Sequence, residues 1–153
     1  EARVRAHWDL HGRADQLVMS FHGLPKRYEK AGDPYPRQCE AGARALAGRL
    51  GLAEGEWKLT YQSRFGREKW LQPYTDKTLE ALPGQGVKTV DVVCPGFAVD
   101  CLETLEEIAV QNDEAFRHAG GEALRYISAL NDEPGHVAAL AALARRHLQG
   151  WPH

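Results

Sequence analysis

Short apolar runs that stop at Gly or Pro alternate with segments of helical periodicity along this 153-residue chain. That alternation predicts an α/β fold, a three-layer sandwich with a roughly four-stranded parallel sheet of chelatase-like or flavodoxin-like shape. No linker, low-complexity tract or internal repeat interrupts it, so residues 1–153 read as a single α/β domain. Right-handed crossovers would place helices on both faces of the sheet.

The chain opens on Ala2, Val4, Ala6 and Trp8 among charges and without an initiator Met, as a helix already under way would, which suggests an excised domain. Gln16-Leu17-Val18-Met19-Ser20 leads to His22-Gly23-Leu24-Pro25 and reads as the first buried strand. Cys39, Ala43, Leu46, Ala47 and Leu50 recur at helical spacing, with Gly51 as the stop. Lys58 to Gln62 is the second strand, a shorter helix lies around Thr75 to Leu82, and Val87 to Val93, closed by Pro95-Gly96, is the third strand. From about Asp100 to His118 the pattern is helical, with Leu102, Leu105, Ala109 and Phe116 near one face and Gly120-Gly121 as its end. Arg125-Tyr126-Ile127 is the fourth strand. The last helix starts near Asp132 with Pro134 in its first turn and is expected to bury Val137, Leu140, Ala141, Ala144 and Leu148.

Composition narrows the classes of function. With 43% hydrophobic and 26% charged residues the chain can bury a core, and a net charge of -2 gives no basic stripe for a nucleic acid. No window has the apolar length a bilayer requires and the start lacks a signal peptide's apolar run, so a cytoplasmic location is expected. Cys39, Cys94 and Cys101 are odd in number and widely spaced, which supports neither a disulfide framework nor a zinc or iron–sulfur motif.

In an open parallel sheet ligands bind at the carboxyl ends of the strands. His22 follows the first strand, Gln62-Ser63-Arg64-Phe65-Gly66 the second, and Cys94-Pro95-Gly96-Phe97 the third, leading to Asp100-Cys101-Leu102-Glu103. Glu103 and Glu107 are four apart and Gln111 continues their line, a ladder of oxygen donors on an α-helix. An imidazole facing carboxylates suits a borderline divalent metal such as ferrous iron, and equally a proton relay. Asp100-x-x-Glu103 also has the spacing of a capping box, which would commit both acids to backbone donors, and Glu106 and Glu107 could be a solvated acidic turn. Arg64 and Arg67 are candidates for carboxylate groups of a ligand. Trp57, Trp70 and Tyr74 read as packing groups, Tyr28 stays open, and His118, His136 and His147 read as surface residues.

Four segments in order, Ser20-Phe21-His22-Gly23-Leu24-Pro25, Gln62-Ser63-Arg64-Phe65-Gly66-Arg67-Glu68, Cys94-Pro95-Gly96-Phe97 and Leu102-Glu103-Thr104-Leu105-Glu106-Glu107, resemble the ferrochelatase family, from about Leu17 to Leu148 and most like the Gram-negative bacterial type. The resemblance implies a lyase of haem biosynthesis that inserts ferrous iron, its substrate metal, into protoporphyrin IX between two similar α/β domains. This chain would be the carboxy-terminal one and inactive alone, its amino-terminal partner domain missing. His22 matches the family's active-site histidine and Glu103 the carboxylate across from it, either of which could take pyrrole protons or ligate the metal. Glu107, and more weakly Gln111, match positions that extend a metal path from solvent, and Ser63 matches a polar residue lining the porphyrin cleft. Cys101 stands where many relatives carry histidine. The carboxy-terminal cluster cysteines of animal members are absent, so no iron–sulfur cluster is expected. Protoporphyrin and coproporphyrin remain alternatives, and peripheral membrane contact of the full-length enzyme is compatible with its greasy substrate.

Two other functions compete. A chelatase placing cobalt or nickel into a sirohydrochlorin-type tetrapyrrole would share the architecture, although those enzymes commonly arrange their histidines differently. A non-catalytic flavodoxin-like binding module has little support, since neither G-x-G-x-x-G nor G-K-[ST] occurs.

Overall fold

The computed structural model describes residues 1–151, so Pro152 and His153, the last two residues of the expected domain, lie outside the described residues. Strands β1 (Gln16–His22), β2 (Trp57–Gln62), β3 (Thr89–Val93) and β4 (Ala123–Ile127) form one sheet in the order β2-β1-β3-β4. Every pairing is parallel. Helices α1 (Ala2–His11), α2 (Lys26–Lys30), α3 (Tyr35–Leu50), α4 (Thr75–Ala81), α5 (Leu102–Leu105), α6 (Asp113–His118) and α7 (Pro134–His147) connect or flank the strands. A π-helical turn, Glu107–Asn112, joins α5 to α6.

Alternation along each strand sends successive side chains to opposite faces, and the core divides accordingly. Leu17, Met19 and Phe21 of β1 pack with Tyr61, Ile127 and the α3 residues Cys39, Ala43, Ala47 and Leu50, together with Val4 of α1. Val18 of β1 instead packs with Val90, Val92, Leu79, Leu82, Ile108 and Phe116, under α4, the π turn and α6. By the same alternation His22 belongs to the face that carries Val18 and Ser20, the face of α5 and the π turn. Gly51 takes φ 69° and ends α3, as its position after Leu50 predicts.

β3 carries one charge into this interior. Asp91 is 1% exposed. It accepts hydrogen bonds from Trp8 Nε1 at 2.8 Å and from Arg125 Nε at 2.8 Å and Nη2 at 3.1 Å, and His7 Nε2 lies 3.1 Å away. Arg125 also donates to the carbonyls of His11 and Gly12, so one guanidinium closes the end of α1 and neutralises Asp91.

Two packing expectations fail. Leu102 and Leu105 are 77% and 51% exposed, while Thr104, Ile108, Asn112 and Phe116 turn inward. The π turn spaces its bonds five residues apart and shifts the helix's phase, so the α-period that selects Leu102 and Leu105 does not apply. No residue of α7 is buried, against the expectation for Val137, Leu140, Ala141, Ala144 and Leu148. Its apolar stripe exists, but the described residues provide nothing to cover it.

Candidate functional site

The carboxyl ends of β1 and β2 are stapled together. Gly23 N–H donates to the Gln62 carbonyl at 2.7 Å, Leu71 N–H to the Leu24 carbonyl and Lys26 N–H to the Lys69 carbonyl, both at 2.8 Å. A Cβ at Gly23 would lie 2.8 Å from the Gln62 carbonyl oxygen and 3.2 Å from the Trp70 ring, so the residue after His22 must be glycine for the strand ends to meet. Trp70 is buried and donates to the Phe65 carbonyl at 2.9 Å, consistent with a packing role.

His22 is half-buried at the end of β1, its ring 6.2 Å from that of Phe97. Nδ1 lies 2.7 Å from the Gly23 carbonyl oxygen. A carbonyl can only accept, so Nδ1 carries the hydrogen and Nε2 of the neutral ring presents a free lone pair. Tyr35 Oη donates to the His22 carbonyl at 2.9 Å and holds the strand end from the other side.

Glu103 stands in the single turn of α5. Its carboxyl is held below the usual carboxylate range by a hydrogen bond from the Cys101 thiol first and then by its own backbone N–H. The anticipated capping box of Asp100 and Glu103 does not form. The cap is Cys101, and Thr104 closes the box by accepting from Cys101 N–H at 3.0 Å. Glu103 is therefore free of capping duty.

Asp100 turns the other way, accepting from Tyr126 Oη at 2.6 Å, Asn131 Nδ2 at 2.8 Å, Ala129 N–H at 3.1 Å and Thr104 Oγ1 at 3.2 Å. Burial raises its carboxyl pKa, but the bonds from Tyr126, Asn131, Ala129 and Thr104 outweigh this and hold it below the ordinary value. Stability from a depressed carboxyl is complete above the unfolded-state pKa and is lost as pH falls through the folded-state one. Asp100→Asn is expected to cost about 1–2 kcal/mol at neutral pH, with the gap from wild type closing below about pH 4. Denaturant unfolding of both proteins across that range checks it, and a pH-independent gap would refute the assignment.

Glu107 is anchored from β2. Ser63 N–H donates to Oε1 at 2.8 Å and Ser63 Oγ to Oε2 at 2.5 Å, with Gln62 Nε2 at 3.5 Å from Oε2. Ser63 pays for this aim with φ 61°, a left-handed conformation costing a non-glycine residue roughly 1–2 kcal/mol. Gln62 is the buried hub: Oε1 accepts from Ser20 Oγ at 2.7 Å and Cys94 Sγ at 3.4 Å, and Nε2 donates to the Glu103 carbonyl at 2.6 Å. Burial pushes the Cys94 thiol up, which keeps it a neutral donor. Nothing in the local pattern of Gln62 or Cys94 singles out these roles, because their partners are distant in sequence.

The ladder of Glu103, Glu107 and Gln111 is altered by the π turn. Gln111 N–H bonds to the Glu106 carbonyl, five residues back, at 2.9 Å, and Gln111 Nε2 lies 3.4 Å from Glu106 Oε1. Glu103, Glu106, Glu107 and Gln111 nevertheless line one cavity of about 500 Å³ with Ser63 and Phe65. Among the described residues no three or more of His, Cys, Asp and Glu converge as a metal-holding group. Arg64 is taken by Asp76, at 2.8 and 2.6 Å, and lies over the Tyr74 ring at 4.2 Å. Arg67 and Tyr28 are exposed, as are His118 and His147, whereas His136 is half-buried with Nδ1 2.8 Å from the Asn131 carbonyl.

The architecture defines a chelatase-like α/β protein. It superimposes with a TM-score of 0.53 on the crystal structure of a putative cobalamin (vitamin B12) biosynthesis CbiX protein from Marinobacter aquaeolei, covering 88% of this chain and 97% of that one at 17% identity, a likeness of fold alone. Sequence goes further. The Ferrochelatase family model matches residues 1–148, and the chain belongs to the ferrochelatase family. It is 62% identical over 149 residues to the ferrochelatase of Thioalkalivibrio sulfidiphilus and 62% over 148 residues to that of Nitrosococcus oceani, covering 97% of this chain and 40% of each relative. The ferrochelatase of Vibrio cholerae is 57% identical over 142 residues. The chain thus spans about 40% of the length of these relatives.

Proposed function

We propose that this chain is the carboxy-terminal half of a two-domain ferrochelatase and forms one wall of the cleft in which ferrous iron enters protoporphyrin IX to give haem. The observation that carries the reading is the pairing, on one rim, of an imidazole with a free Nε2 lone pair and an ionised carboxylate unencumbered by capping. Exposed Phe65, Val99, Leu102 and Leu105 make that rim greasy, which suits a flat apolar macrocycle.

Metallation must remove two pyrrole protons while the metal sheds water. In this reading His22 Nε2 accepts a proton from the macrocycle, and Glu103 receives the metal or the second proton. Glu107, fixed by Ser63 and Gln62, offers a further oxygen donor along the lined cavity, and Ser63 serves the cleft wall by holding it. A cytoplasmic enzyme without an iron–sulfur cluster, touching a membrane only peripherally, completes the proposal. Among the described residues no helix is long and apolar enough to cross a membrane.

The test is anaerobic metallation by the full-length protein, followed by absorbance, with ferrous iron and protoporphyrin in one arm and cobalt and sirohydrochlorin in the other. Haem formation in the first arm is expected, with the isolated chain inactive because the opposite wall is missing. Turnover confined to the cobalt arm, or near-full activity of the isolated chain, would reject the reading.

A further inference from the structure

We infer that Gln62 is a positioning residue that sets the separation of His22 from Glu103 across the rim. It is 3% exposed and holds both sides at once. Its backbone carbonyl accepts from the N–H of Gly23, the neighbour of His22, at 2.7 Å, and the register of β1 with β2 pairs Gln62 with His22 itself. Its side-chain Nε2 donates to the backbone carbonyl of Glu103 at 2.6 Å. One residue therefore spans the step from imidazole to carboxylate. Helix α5 depends on such support, because it is a single turn of four residues in which Thr104 is the one buried residue, and apolar packing does little to fix it.

The partners at this point select an amide. Oε1 accepts from the Ser20 hydroxyl at 2.7 Å and the Cys94 thiol at 3.4 Å. Nε2 meets the Glu103 carbonyl, which can only accept, and Glu107 Oε2, another acceptor, lies 3.5 Å from it. The two ends of the side chain thus face partners of opposite kind, and the amide cannot turn over without setting acceptor against acceptor. Ser20 is fully buried two residues before His22, and its hydroxyl lies 2.8 Å from Thr75 Oγ1, itself 2.9 Å from Thr60 Oγ1. This chain of buried hydroxyls holds Ser20 and, through it, the orientation of Gln62. Without it the α5 turn would drift, and a misplacement on the order of 1 Å can cost about 10²-fold in rate. The inference rests on the proposed metallation chemistry.

The experiment is a set of double-mutant cycles on metallation of protoporphyrin with ferrous iron by the full-length protein. Gln62→Met and Ser20→Ala are each combined with Glu103→Gln and with His22→Ala. If Gln62→Met does not fold, Ser20→Ala, which removes one buried hydroxyl, carries the test. Either substitution alone is expected to lower kcat/KM for the metal by about tenfold or more. Added to Glu103→Gln it should cost less than about twofold further, because the carboxylate being placed is already gone. Added to His22→Ala the losses should multiply, since the backbone bond between Gln62 and Gly23 is retained and His22 is undisturbed. A general structural defect would multiply in both backgrounds and would overturn the inference, as would single variants within about twofold of wild type. In both of those outcomes Glu103→Gln alone still loses activity. A harmless Glu103→Gln would instead reject the metallation reading at that residue, and the inference with it.

Discussion

His22→Ala in the full-length protein is expected to lower the rate of porphyrin metallation by about 10²–10⁴-fold, equivalent to about 3–5 kcal/mol of barrier. The ring is half-buried at a strand end, and the Tyr35 bond that fixes this end goes to the His22 backbone carbonyl, which the substitution retains. Folding should therefore survive. Glu103→Gln keeps the shape of the side chain and the carbonyl that accepts from Gln62, and removes only the charge, so a loss of the same order would separate chemistry from structure. The pH profile divides the roles: a base at His22 leaves an acidic limb in the wild-type rate that vanishes in His22→Ala, whereas a metal ligand raises the metal KM instead. Rates of both variants within about twofold of wild type, with unchanged thermal unfolding, would make the two residues structural and put the chemistry in the other half.

What could be read in advance follows from the range of the interactions involved. The central strands β1 and β3 are legible because strands buried on both faces are nearly continuous apolar runs, and the rim is legible because His22, Ser63 and Glu103 sit just past the strands or their turns. Helix α2 and the π turn are not legible in the sequence, the first because five residues carry little periodicity, the second because its five-residue spacing accompanies tertiary packing of Ile108 and Phe116 in the core. The shift in phase is also why the α-period groups Leu102 and Leu105 on one face with Phe116, although Phe116 alone of the three is buried. For α7 the stripe was read correctly and its burial was not, since periodicity reveals an apolar face without saying which body covers it. Asp91 was overlooked although Val90-Asp91-Val92-Val93 displays an acid inside an apolar strand. Its partners Trp8 and Arg125 lie 83 and 34 residues away, beyond any local pattern.

Those partners set the largest expected effect on stability. Asp91→Ala removes the acceptor shared by Trp8 Nε1 and Arg125 and leaves a guanidinium facing the interior without its counter-charge, a loss of about 3–5 kcal/mol. At roughly 2–4 °C per kcal/mol for a protein of this size, the midpoint of thermal unfolding should fall by about 6–20 °C. Asp91→Asn should cost less, because one amide oxygen still accepts from Trp8 or Arg125. Arg125 bonds to the His11 and Gly12 carbonyls as well, so the damage should spread to the end of α1, and hydrogen exchange there should rise with the fall in melting point. Adding Arg125→Met to Asp91→Leu tests the assignment from the other side. An apolar pair of similar volume no longer strands a charge and should recover part of the loss, whereas two independent surface effects would simply add. A melting point within about 2 °C of wild type for Asp91→Ala would mean that water, not Arg125, satisfies the carboxylate's place.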